Sequence, residues 1–296
     1  MFGFQRIGDL AWASGDSQAR GFLIGATAGR TTLNGEGLQH QDGHSHVLSS
    51  TIPNCISYDP AYSYELAVII KDGIRRMYQE MESVFYYITT MNENYQQPEM
   101  PKGVEKDIIK GMYLLEDGNS KEFKVGKPIN KEHRVRLLGS GTILREARKA
   151  AELLRTEYSV AVDVWSVTSF NELRREALEI GRENMLNSDK KPKVPFVTDK
   201  LSKQAGPVIS ATDYMKIHSD QVREFIPDTY RVLGTDGFGR SDSREQLRHF
   251  FEVDMKFIAA AALYELKEAG LIDGKILATH YKSLGIDKNK ANPIYQ

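Results

Sequence analysis

At 296 residues the chain has room for two domains of ordinary size, and its 41% hydrophobic and 27% charged content is the profile of a globular protein. Lys+Arg 39 against Asp+Glu 40 leaves almost no net charge, and nothing in that balance suggests electrostatic capture of nucleic acid or of an anionic membrane. The single cysteine, Cys55, excludes an internal disulfide and a cysteine-rich zinc site.

Arg6 and Asp9 interrupt any apolar stretch at the start, and no small-residue cleavage pattern follows, so a signal peptide is not expected. The longest apolar segment, around 257–263, falls well short of the ~20 residues of a membrane span. A soluble, cytoplasmic protein is the expectation. In chain order, 53–58 reads as a short apolar strand ending at the turn pair Asp59-Pro60. From Tyr62 to Tyr78, Ala67, Ile70, Ile74 and Met77 recur at helical spacing. Residues 83–90 are β-branched and aromatic, as a buried strand requires. Strand, helix, strand predicts a right-handed parallel crossover. Between about 92 and 132 breakers and charges dominate, with a short structured piece at 108–115, and this stretch is the expected interdomain linker.

A second α/β unit then begins. Val135–Leu138 reads as a strand, Gly139-Ser140-Gly141 as its turn, and Ile143, Ala147, Ala150 and Leu154 as one face of a helix. Strands are predicted at 160–164, 207–210 and 230–233, and helices at 171–184 and 254–269. A further helix is predicted after Thr212 or Asp213, either of which can cap it. Gly234–Arg244 reads as a polar, glycine-rich loop entering a helix with Ser241 or Ser243 as cap. Gly139-Ser140-Gly141 lacks the third glycine of a dinucleotide loop, and no Gly-x-Ser-x-Gly elbow occurs in the chain.

The segment 25–50 is the richest in chemistry, with His40, His44 and His46 beside Glu36 and Asp42. Polar, aperiodic loops of this kind on α/β scaffolds often carry function. Three readings stay open from the residues alone: a solvated loop, a metal site at His40, Asp42, His44 and His46, or a proton-transfer site. At the amino terminus Phe2 and Phe4 flank a glycine, and either tucks into the core or lies against an aromatic ligand ring.

Four stretches resemble one family. These are Phe2-Gly3-Phe4-Gln5-Arg6-Ile7-Gly8-Asp9, the run from Gly29 to His40 (GRTTLNGEGLQH), Ile88 to Tyr95 (ITTMNENY) and Leu233 to Arg244 (LGTDGFGRSDSR). They are similar to the homodimeric bacterial pyruvate dehydrogenase component. The resemblance runs from Met1 to near the end. It implies a transketolase-like α/β fold: the remainder of a pyrimidine-binding domain with linker at 1–130, then a transketolase-type carboxy-terminal domain at 131–296. It further implies thiamine-diphosphate-dependent decarboxylation of pyruvate and reductive acetylation of a lipoyl group on the dihydrolipoyl acetyltransferase. His40 is similar to the family's active-site histidine, Glu36 falls on a second active-site position, and Phe2 matches the aromatic packed on the cofactor's aminopyrimidine. His44 and His46 are expected around that centre.

The resemblance also implies what this stretch lacks. The Gly-Asp-Gly motif and downstream asparagine that hold the diphosphate through Mg2+ do not occur here in that arrangement, nor does the glutamate that faces the aminopyrimidine. The expectation is a homodimer whose missing amino-terminal portion supplies both, with a chain that alone neither binds cofactor tightly nor turns over pyruvate. Two alternatives remain at this point: a non-catalytic dimerisation module, and a metal hydrolase centred on the histidine loop.

Overall fold

Short, apolar strands build two parallel-rich sheets. The computed structural model describes residues 4–120 and 130–296, Lys131 by its backbone alone. In the first unit β1 (Phe22–Gly25), β2 (Cys55–Tyr58) and β3 (Phe85–Thr89) form a parallel sheet in the order β1-β3-β2. All five residues of β3 are buried, as befits a central strand covered on both faces, whereas Ile24 on the edge strand β1 is half exposed. The helix between β2 and β3 spans Ser63–Ile74 and passes into a π-helical turn at Arg75–Gln79, so the continuous run expected from Tyr62 to Tyr78 is divided. β1 carried no recognised signal in the sequence. It is an edge strand of four residues that runs into the polar segment starting at Gly25.

The second sheet comprises β4 (Met112–Glu116), β5 (Asn130–Gly139), β6 (Val160–Val167), β7 (Val208–Ala211) and β8 (Tyr230–Leu233), in the order β4-β6-β5-β7-β8. β4 runs antiparallel to β6 and the other neighbours are parallel. Alternation sorts the side chains: Val135 and Leu137 face a core with the Ile143–Tyr158 and Met255–Glu268 helices, while Leu138 faces one with Phe170, Leu173, Phe196 and Val197. The second sheet therefore starts at Met112, ahead of the boundary expected at 131. The apolar run from Met112 to Leu115 pairs with β6, and the charges around it had disguised that segment as linker.

Caps follow side-chain chemistry. Ser243 accepts from Gln246 N at 3.3 Å, and Asp254 accepts from Lys256 N and Phe257 N at 3.0 Å each. Asp213 behaves otherwise. The helix after it is only Lys216–Asp220, with Lys216 N donating to Asp236 Oδ1, and the Asp213 carboxylate instead accepts from Thr31 and Thr32 of the first unit.

Two carboxylates, one buried and one half-buried, join the units. Glu65, fully buried, accepts at Oε2 from Ala61 N (2.6 Å) and Tyr62 N (3.0 Å), and at Oε1 from Tyr113 Oη (2.7 Å) on β4 and Ser166 Oγ (2.6 Å) on β6. Glu93 accepts from Arg145 at 2.7 Å and also from Arg248; burial alone would push its carboxyl up, but the two guanidinium groups hold it below the ordinary glutamate value. No helix among the described residues is long and apolar enough to cross a membrane.

Candidate functional site

The loop from Ala28 to His46 has a buried anchor at each end and an exposed crest between. At its entry Thr31 and Thr32 are fully buried. Asp213 Oδ1 accepts from Thr31 N at 2.9 Å and from its hydroxyl at 2.7 Å, and Oδ2 accepts from the Thr32 hydroxyl at 2.8 Å. The Thr32 hydrogen being committed to Asp213, Thr142 Oγ1 donates to Thr32 Oγ1 across 2.8 Å. Burial pushes the Asp213 carboxyl up, and Arg248 with the threonine donors opposes that shift.

The crest, 34–40, is exposed throughout. Leu38–His40 make one 3-10 turn, closed by His40 N donating to Gly37 O at 2.9 Å. Glu36 and His40 both lie on this solvent-facing stretch, so the structure brings the two predicted catalytic residues onto one surface. Phe2 lies outside the described residues. Phe4 is buried, edge-on to Tyr87 with ring centroids 4.8 Å apart.

On the return, 41–46 sinks back. Asp42 Oδ1 accepts from His44 N and Ser45 N, both at 3.0 Å, an Asx-type turn that leads into the Ser45–Ser49 helix. His44 Nδ1 lies 3.3 Å from Arg30 Nη2; burial and the Arg30 charge both lower its pKa. His46 Nε2 is 2.9 Å from Thr89 Oγ1, whose own hydrogen goes to Asp59 Oδ1 at 2.7 Å, which makes His46 Nε2 the donor. Burial lowers His46 to about 3 and raises Asp59 to about 7. His218 of the second unit stacks on His46 at 4.9 Å, and neither of its ring nitrogens has a hydrogen-bond partner among the described residues.

A cleft of about 300 Å³ opens beside the crest, lined by Arg30, Leu38, Gln39, His44 and the exposed Phe238 among others. Arg30 is only 1% exposed, donates to Gly237 O, and has no carboxylate within ion-pair distance among the described residues. Its guanidinium lies flat on Gly43, where an added Cβ would stand 2.2 Å from Nη2.

The metal reading does not survive this geometry. Asp42 is spent on backbone amides, His44 faces Arg30 and His46 faces Thr89. Among the described residues no group of three or more His, Cys, Asp and Glu side chains could hold a metal ion. Asp213, Asp59 and His218 were not identified from sequence as partners of this loop. A carboxylate 182 residues from Thr31 gives no local signal, although the adjacent Thr31-Thr32 hydroxyls beside Arg30 hinted at a buried polar anchor.

Comparison with known proteins bears on the whole chain. The family description "Pyruvate dehydrogenase E1 component middle domain" matches residues 1–98, and "Transketolase-like TK C-terminal domain" matches residues 111–254. The pyruvate dehydrogenase E1 component of Pseudomonas aeruginosa is 60% identical over 295 residues, 99% of this chain and 32% of that protein. That of Escherichia coli K12 is 57% identical over the same coverage. A solved transketolase from Campylobacter jejuni superposes with a TM-score of 0.62 at 16% identity, covering 88% of this chain and 34% of that one, a likeness of fold alone. The chain thus spans about a third of the length of the curated relatives it matches, and over nearly its whole length it is similar to proteins named pyruvate dehydrogenase E1 component.

Proposed function

We propose that this chain supplies one wall of the active site of a thiamine-diphosphate-dependent pyruvate dehydrogenase (acetyl-transferring), completed by polypeptide beyond these 296 residues. The observation that carries the reading is the exposure of Glu36 and His40 together on a crest whose two ends are buried and tied down. A rigidly anchored loop that turns an acid and an imidazole outward suits a centre closed by another surface.

The described residues fit the reacting end of such a cofactor and not its diphosphate. Glu36, His40 and the apolar Leu38 and Phe238 face outward, whereas the buried carboxylates of the anchor are occupied by hydroxyl and amide donors. Mg2+ ligands are accordingly assigned to the completing polypeptide. When bound, thiamine diphosphate would supply a nucleophilic carbon and an electron sink for loss of carbon dioxide. His40 would donate a proton to the oxygen of the 2-oxo acid as negative charge develops on it, and take that proton back as the carbonyl re-forms when the acetyl group departs. Glu36, on the same crest, would orient the His40 imidazole. Phe2, from the family resemblance, would pack against the aminopyrimidine. Pyruvate as substrate, a second copy of the chain and the lipoyl-bearing dihydrolipoyl acetyltransferase as partners complete the proposal, all by analogy with relatives named pyruvate dehydrogenase E1 component.

The test is the completed enzyme with His40→Ala. Loss of 2-oxo acid turnover by about 10²-fold or more is expected from removal of a general acid–base group. Normal overall activity in that variant would overturn the assignment. Measurable decarboxylation by the 296-residue chain without added polypeptide would overturn the claim that it holds only part of the site.

A further inference from the structure

The exposed crest has no core of its own, yet it lies along a specific strip of the second unit. Arg244 Nε donates to Thr32 O at 2.7 Å, Gly35 N donates to Asp242 O at 3.0 Å, and Gln41 meets Arg240. These contacts run antiparallel along 32–41 and 239–244. Gln41 is the tightest of them. It is 1% exposed, and its Nε2 hydrogens go to Leu33 O at 3.0 Å and to Arg240 O, while Oε1 accepts from Arg240 N at 2.7 Å. One buried amide therefore ties both ends of the crest to the second unit, with its hydrogens fully used. Gly239 allows the approach: a Cβ there would stand 2.7 Å from Leu38 O and 2.7 Å from Gln41 Oε1.

We infer that the Gly239–Arg244 segment of the second unit is the template that fixes the Glu36–His40 crest, and that Gln41 is the positioning residue for His40. The second unit then has a part in the chemistry without placing a reacting group in it. This deepens the proposed function and rests on His40 being the reacting group there. The structural half of the inference stands or falls separately.

The experiment uses the 296-residue chain, followed by NMR. In Gln41→Ala the amides of Gly35 and His40 are expected to exchange with solvent about tenfold faster or more, and the His40 ring resonances to move toward those of a free imidazole. Amides of the buried strand β6 serve as the fold control and are expected to keep their protection. Gly239→Ala attacks the same contact from the opposite side and is expected to give the same signature. The double variant is expected to be no worse than the worse single one, because both break one clamp. A folded Gln41→Ala chain with unchanged exchange and unchanged His40 resonances would overturn the inference. Failure of both single variants to fold would overturn it too, since a contact that only positions a surface crest leaves both cores standing. No turnover enters these readouts, so failure of the His40→Ala test would leave the template in place and remove only its catalytic meaning.

Discussion

His40 and His46 are six residues apart in one loop and have opposite environments. His46 is 1% exposed, donates to Thr89 and is held neutral by burial, with its pKa lowered to about 3. His40 is exposed on the crest. The same residue type thus serves as a satisfied structural donor at the anchor and as the candidate for proton transfer at the crest. What separates them is not composition but desolvation: a buried imidazole that cannot take up a proton at neutral pH is a poor acid–base group. The buried anchor secures the loop and leaves the side chains of the crest facing outward.

The strongest way to break that division is Asp213→Ala. It strips the acceptor from the buried Thr31 amide and both threonine hydroxyls, and leaves Arg248 facing one charge fewer. Removing one partner from such a buried network costs about 3–5 kcal/mol. Urea denaturation read by fluorescence is expected to show that loss. A change below about 1 kcal/mol would mean the anchor is not where the loop draws its order.

A smaller effect tests the titrating groups of the anchor. His46 falls from 6.5 to about 3 on folding, so the stability it contributes is present above pH 6.5 and drains away as pH falls toward 3. Asp59 rises from 3.8 to about 7, so its contribution is present below 3.8 and is lost as pH rises through 7. Between about pH 4 and 6.5 the two slopes oppose each other. Asp59 is faced by Thr89 and Ser140, with Asp213 and Glu65 adding charge that raises it further. Asp59→Asn keeps an acceptor for Thr89 and removes one of the two slopes. The variant is expected to lose about 2 kcal/mol more than the parent between pH 7 and 5. Urea midpoints at those two pH values decide it, and a flatter profile in the variant would contradict the sign.

The sequence made the long-period features legible and hid the cross-chain ones. The apolar positions of Ile143–Tyr158 and the β-branched, aromatic stretch at Phe85–Thr89 announce a helix and a buried strand through local repetition. β1, at the start of the polar loop segment, did not announce itself, and β4 showed only as a short structured piece at 108–115 set among charges. For the site, the cluster Glu36–His40–His46 was visible as residue types, and the family resemblance chose among its readings. Its division into anchor and crest was not visible. That depends on Asp213, Thr89 and Arg240, which come from distant stretches of chain, and on burial that no local pattern encodes.

The smallest expected effect on the fold belongs to the crest itself. His40→Ala and Glu36→Gln alter exposed side chains on a stretch whose backbone is tied by Gly35 N to Asp242 O and by Gln41. Substitutions of this kind stay within about 0.5 kcal/mol of the parent. Urea unfolding of the 296-residue chain is therefore expected to leave both variants indistinguishable from it, even though the completed enzyme with His40→Ala is expected to lose turnover. A residue that stability can spare and chemistry cannot is what an outward-facing acid–base group should be. A drop of about 2 kcal/mol in either variant would instead place that side chain among the supports of the loop, and the distinction between anchor and crest would have to be redrawn around it.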